Sequence, residues 1–294
     1  MKKAHGAAMC DEGTNQQTPR DQLPTYPESS RALALMSVRT STLAAALSLL
    51  PLGQPLLLES ATAWATATVV LSTQTAQAQS ADDYLNRGNS KYHRRDYQGA
   101  ITDFNKAIEI NPQFALAYNN RGSTKDDLGD LKGAISDYTK AIEINPQYAL
   151  AYYNRGIVKS DLKYYQGAIS DYTKAIEISP QYALAYANRA LAKYYLKDYQ
   201  GAIFDNSRAI EVNPQYALAY TNRGSAKDEL GDLKGAIADY NKAIQIDQQY
   251  ADAYFNRGNA KGISGDNEGA CRDMKQAAKL GDEDAAALVR KNCR

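Results

Sequence analysis

The stretch ALAYYNRGIVKSDLKYYQGAISDYTKAIEISPQY, residues 149–182, decides the fold. Read outward from it in either direction, the same marks return every 34 residues. Asn154-Arg155 has counterparts at Asn86-Arg87, Asn120-Arg121, Asn188-Arg189, Asn222-Arg223 and Asn256-Arg257. Tyr152 recurs at Tyr84, Tyr118, Tyr186, Tyr220 and Tyr254, and Ala168 at Ala100, Ala134, Ala202, Ala236 and Ala270. Self-similarity at a fixed period is the signature of a repeat array. The register defines six units: 81–114, 115–148, 149–182, 183–216, 217–250 and 251–284.

Each unit reads as two helices. In the first, Ala100, Ile101, Phe104, Ala107 and Ile108 fall at i, i+1, i+4, i+7 and i+8, one apolar stripe of a helix. Gly129-Asp130 and Gly231-Asp232 supply a residue tolerant of the left-handed region and then a helix N-cap. Asn111-Pro112, Asn145-Pro146, Asn213-Pro214 and Ser179-Pro180 are expected to stop the second helix and open the next. Small residues such as Gly88 and Ala100 allow the paired helices close approach. One hairpin cannot bury its stripe alone, so units must stack. In the sixth unit Met274 takes the ring position, Cys271 an Ile position and Asp282 the Pro. Residues 285–294 follow as a cap, read as a helix from Glu283 to Asn292 with Ala287, Leu288 and Val289 on its apolar side.

These residues resemble the tetratricopeptide repeat: Tyr84-x2-Arg87-Gly88-x2-Lys91, then Ala100-x3-Phe104, then Pro112, set against W-x2-L-G-x2-Y, A-x3-F and P. The resemblance spans 81–284, with Tyr for Trp, Arg for Leu and Lys for the second Tyr in every unit. It implies an all-α, right-handed solenoid whose first helices line a concave face, and a non-catalytic scaffold for other proteins. Family members that grip a C-terminal carboxylate use Lys at position 5 and Lys and Arg in the third unit. Here Asn89 and Asn120 match two of the clamp positions, but position 5 is Leu85, Asn119, Tyr153, Ala187, Thr221 and Phe255, and the third unit offers Leu150 and Asn154. No chaperone carboxylate clamp is expected.

The first eighty residues differ. Of 22 tyrosines only Tyr26 precedes residue 80, whereas the single Trp64 lies there. Residues 1–35 are polar and without apolar periodicity, a disordered leader by composition and consistent with a gene start placed too early. Residues 36–78 run from Met36 and Arg39 through Leu43 to Leu50 and end on Ala76-Gln77-Ala78, the pattern of an export signal cleaved after Ala78. The expected location is therefore periplasmic or secreted, and cytoplasmic if the segment is not a signal. The leader and repeat subtype resemble those of exported bacterial, cyanobacterial-like, repeat proteins. Pro51, Pro55 and Glu59 interrupt the apolar run and argue against a membrane-spanning helix.

The formal net charge of +1 across 294 residues argues against a nucleic-acid footprint. No close Cys/His spacing suggests a metal, no glycine-rich loop suggests a phosphate, and no cofactor is implied. After residue 79 the only histidine is His93, and most charged residues have counterparts 34 residues away, unlike a singular catalytic group. The six Arg–Asp pairs, from Arg87 with Asp103 to Arg257 with Asp273, read as a structural ladder.

Specificity belongs where copies differ. On positions 5, 9, 12 and 13 the middle units carry Tyr153, Ile157, Leu191, Tyr194 and Tyr195, flanked by Asp126, Asp127, Asp161, Asp228 and Glu229. An aromatic centre with an acidic rim predicts a protein or peptide with apolar anchors and Lys/Arg flanks. Asn120, Asn154 and Asn188 read equally as clamps on an extended peptide backbone or as contacts between helices. A Tyr-rich face also admits an envelope glycan, peptidoglycan or lipid ligand. Cys271, at an Ile position and so expected to be buried, and Cys293 of the cap are placed to form a disulfide. Ala190 for Gly and Asn206 for the ring mark the fourth unit as irregular in its packing.

Overall fold

A computed structural model describes residues 79–293. The disordered leader, the export signal and its cleavage after Ala78 fall outside the described residues. Each unit contributes two antiparallel helices: α1 Ala81–His93 and α2 Tyr97–Ile110, α3 Ala115–Asp127 and α4 Leu131–Ile144, α5 Ala149–Asp161 and α6 Tyr165–Ile178. The series continues with α7 Ala183–Tyr195 and α8 Tyr199–Val212, α9 Ala217–Glu229 and α10 Leu233–Ile246, α11 Ala251–Ile263 and α12 Asn267–Lys279, closed by α13 Glu283–Asn292. Every helix packs chiefly on its sequence neighbours, the pattern of a solenoid.

The turns within each unit use two local devices. Asp96, Asp130, Asp198, Asp232 and Asp266 cap the second helix of their units by accepting from the N–H of Gly99, Gly133, Gly201, Gly235 and Gly269. Just before the cap the backbone is left-handed, at Gly129, Gly231 and Gly265, but also at Arg95, Lys163 and Lys197. The third unit keeps the left-handed residue, Lys163 at φ 62°, but gives up the cap: Tyr164 precedes α6 with no side-chain cap. Tyr164→Asp is therefore expected to stabilise the chain by about 1 kcal/mol, read as a higher midpoint in urea. An unchanged or lower midpoint would show that Tyr164 contributes more than a cap does.

The turns between units correct the reading of their prolines. The first helices of units two to six are preceded by Phe114, Tyr148, Tyr182, Tyr216 and Tyr250, without side-chain caps, so the prolines do not open them. Pro112, Pro146 and Pro214 lie within turns in which Asn111, Asn145 and Asn213 accept from the N–H of Gln113, Gln147 and Gln215. These Asx turns reverse the chain after the second helix.

The core is a column of small residues against single rings. Phe104, Tyr138, Tyr172 and Tyr240 are buried opposite Gly88, Gly122, Gly156 and Gly224. A Cβ at these glycines would stand 2.5–2.9 Å from the ring, closer than packing permits. The fourth unit changes both partners together: Ala190 and Asn206 are buried where Gly and a ring stand elsewhere. The added methyl is opposite in sense to the lost ring but smaller than it.

The two ends are finished differently. Ala117, Ala151, Ala185, Ala219 and Ala253 are fully buried against the preceding unit, as are Thr124, Val158, Ala192, Ala226 and Ala260. The first unit has Asp83 and Ser90 at those positions, so its outer face suits water, and Ser80 with Asp83 forms a capping box. At the other end α13 buries Ala285 and packs Leu288 and Val289 against Met274, Ala277, Tyr254 and Phe255.

Candidate functional site

The Arg–Asp ladder is a framework element. In each unit the arginine forks onto one aspartate: Arg155 Nε and Nη2 donate to the two carboxylate oxygens of Asp171 at 3.0 and 2.8 Å. Lys159 completes the same carboxylate at 2.8 Å, a partner that the motif alone does not single out. The remaining Arg155 Nη1 donates to Thr139 of the preceding unit at 2.9 Å, and the guanidinium lies over Tyr152, 5.7 Å from its ring centroid. Equivalent bonds join Arg121 to Asn105, Arg189 to Thr173, Arg223 to Ser207 and Arg257 to Asn241. Each of these five arginines thus ties its two helices together and its unit to the one before.

The asparagine row is engaged in the same way. Asn120 donates to Asn89 at 2.9 Å, Asn154 to Asn119 at 3.2 Å and Asn188 to the Tyr153 hydroxyl at 2.8 Å. Their amide donors bridge successive first helices, which favours the helix–helix reading over a peptide-backbone clamp.

The expected aromatic centre divides in two. Tyr153 is 8% exposed and packs between Tyr172 and Tyr182, with ring centroids 5.9 and 4.8 Å away. It is a core residue of the third unit with Ile157 half-buried beside it, a correction to its reading as a surface anchor. Its position in the other units (Leu, Asn, Ala, Thr, Phe) is occupied by residues that pack as readily, so variation along the chain does not by itself separate specificity from packing.

The second group lies at the edge where units three and four turn from first to second helix. Tyr195 ends α7 and stacks on Tyr165, the first residue of α6, with centroids 5.0 Å apart and planes at 16°. Tyr194 meets Tyr195 and Tyr199 edge-on at 6.1 and 5.3 Å. Tyr195 remains 40% exposed, Tyr164 is 64% exposed, and Leu191 is half-buried. Tyr164 and Tyr165 escape the sequence reading. The available signal was Tyr164 in place of a cap aspartate found in five units.

The acidic residues are partly engaged. Tyr92 donates to Asp127 at 2.6 Å and Tyr194 to Glu229 at 3.2 Å, one unit on in each case. Burial, with these carboxylates as acceptors, raises both phenols above their ordinary range and keeps them protonated donors. Asp126 is half-buried rather than on a rim, while Asp161 and Glu229 are exposed. Burial and the charge of Glu229 push the Asp228 carboxyl up.

Cys271 and Cys293 are joined by a disulfide, with Cα atoms 5.5 Å apart. Cys271 is half-buried, not buried, because the corresponding isoleucines also lie at the edge of the helix pair. Reduction is expected to destabilise the capped end by about 3 kcal/mol for a separation of 22 residues. Faster amide exchange in α13 and α12 on adding reductant checks this, and unchanged exchange there contradicts it. Among the described residues no group of His, Cys, Asp and Glu is arranged to hold a metal ion, and no helix is long and apolar enough to cross a membrane.

Stacked helix pairs with a framework ladder define a helical-repeat interaction scaffold. A family profile described as TPR repeat matches residues 80–125, 127–163 and 229–262, and one described as tetratricopeptide repeat matches 149–182. The chain is a tetratricopeptide-repeat protein. Among solved structures, MamA is 29% identical with a TM-score of 0.52, the match covering 56% of this chain and 96% of that one. YrrB, described as a TPR protein with an unusual peptide-binding site, is 25% identical with a TM-score of 0.54, covering 64% and 97%. PilF of Pseudomonas aeruginosa shares the fold at 19% identity and a TM-score of 0.63, covering 72% and 97%. No curated protein matches the chain by sequence.

Proposed function

We propose that this protein is a non-catalytic adaptor that holds an extended or helical segment of a partner protein, with the third and fourth units setting specificity. The observation that carries this reading is the local departure of those units from an otherwise uniform array. Tyr164, Tyr194 and Tyr195 stand where most other units place capping, acidic or small residues; Tyr194 donates to Glu229, and Asp161 holds the Tyr195 position one unit earlier. Such a surface suits apolar anchors with Lys/Arg flanks, and association weakens as salt rises. The peptide-binding site described for YrrB supports a peptide as the kind of ligand.

The setting we propose is the cell envelope, after export and cleavage behind Ala78. The Cys271–Cys293 disulfide supports this, since such bonds persist in oxidising compartments. The test is capture from envelope extract by the full chain, compared with a Leu191/Tyr194/Tyr195 triple Ala variant. A partner held by the first and lost by the second supports the reading. Equal capture by both rejects the site. A glycan-array signal exceeding any protein capture replaces the protein partner with the glycan, peptidoglycan or lipid class.

A further inference from the structure

The third unit contains a packing arrangement that the fourth leaves unfilled. In unit three the Tyr153 ring lies between Tyr172 of the second helix and Tyr182 at the end of the unit, with centroids 5.9 and 4.8 Å away. Its hydroxyl accepts from Asn188 of the next unit at 2.8 Å. One repeat later the same four positions hold Ala187, Asn206, Tyr216 and Asn222. Ala187 and Tyr216 belong to one packed cluster, as Tyr153 and Tyr182 do. The wall and the donor are kept, but the ring between them is reduced to a methyl group.

Two polar groups mark what is missing. Asn154 and Asn188 each donate to the residue 35 places earlier, at 3.2 and 2.8 Å. The same step from Asn222 arrives at Ala187, whose side chain offers no acceptor. Among the described residues the Asn222 side chain has no hydrogen-bond partner, although it is only 9% exposed. Asn206, in place of the Tyr172 ring, holds a carbonyl oxygen that is buried and likewise unpaired. A buried donor and a buried acceptor left unpaired are both costly. A hydroxyl on an apolar ring suits such a place, since it accepts one hydrogen bond and carries a proton to give in another.

We propose that the fourth unit is a seat for one tyrosine side chain of the partner segment, its ring entering beside Ala187 against Tyr216 and its hydroxyl accepting from Asn222. The bound ring repeats what Tyr153 does within the chain. The proposal rests on the adaptor reading and names the anchor residue of the partner. Leu191, one helical turn beyond Ala187 and half-buried, lies over it, because a helical side chain covers the turn before its own Cα. The seat is therefore closed in the free chain and opens as Leu191 changes rotamer. Phenylalanine fills the same space but leaves Asn222 unpaired, so the seat discriminates against it.

The probe is a bead-displayed library of short extended peptides carrying tyrosine, phenylalanine or leucine at each apolar position, selected on the full chain. Tyrosine should be enriched at one position, and Tyr→Phe in the selected peptide should weaken binding about tenfold. Ala187→Tyr supplies the ring from within, so that variant should melt no earlier than the wild type and lose the tyrosine preference. Asn222→Leu removes the donor at similar size and should bind the tyrosine and phenylalanine peptides equally. An Ala187→Tyr chain that melts several degrees earlier shows that neighbouring side chains already fill the space, and overturns the seat. Selected peptides without a tyrosine preference overturn the seat and leave the adaptor reading standing. Selection of no peptide at all overturns both.

Discussion

Replacement of Arg155 by Ala is expected to destabilise the protein by about 3 kcal/mol, since removing one partner of a buried pair strands the other charge. For an array of this length that corresponds to a melting temperature about 6–12 °C lower. Asp171 is almost fully buried, and Lys159 alone cannot replace the fork that closes on both of its oxygens. The change also breaks the bond to Thr139, so the joint between the second and third units loosens with the hairpin. Arg87→Ala should cost less. Its side chain is 42% exposed, against 13–20% for the other five, and it bonds Gln79 instead of a preceding unit. An Arg155→Ala protein that melts normally but loses its partner would reverse the assignment and make the ladder a binding device.

The second large effect concerns the fourth unit. Asn206→Tyr alone is expected to cost about 1–3 kcal/mol, because the ring meets the Ala190 methyl where the other units have only a glycine hydrogen. Ala190→Gly in the same chain should recover most of that loss. The Asn206 side chain donates to the Ala202 carbonyl, but its own carbonyl oxygen is buried without a partner, so the double variant also removes an unsatisfied group. A double-mutant cycle read by chemical denaturation checks this, with a coupling of at least about 1 kcal/mol expected. Strict additivity would show that the two substitutions arose independently of packing.

The fold was legible because the periodic residues are the ones with geometric work. Gly156 must admit Tyr172, and Asp130 must cap α4. Arg155 must reach Asp171, and each need returns at a step of 34 residues. The site was less legible for the same reason. Variation at Tyr153 looks like specificity, yet its ring fills interior space between Tyr172 and Tyr182. The asparagines look available because the partners of Asn154 and Asn188 lie 35 residues away in the preceding unit, which a single copy of the motif does not show. Tyr165 is hidden differently: tyrosine also stands at that position in two other units, and only the stack with Tyr195 sets it apart.

The proposal divides the labour: units three and four choose the partner, and the ladder holds the shape. The decisive measurement titrates the captured partner into the wild-type chain, the Leu191/Tyr194/Tyr195 triple Ala variant and Arg155→Ala, each below its own melting transition. The triple variant also melts earlier, because Tyr194 and Tyr195 pack between units, but below its transition it should lose affinity about tenfold or more, whereas Arg155→Ala should keep its affinity while melting earlier. The opposite pattern, affinity lost in Arg155→Ala and retained in the triple variant, would contradict this division of labour.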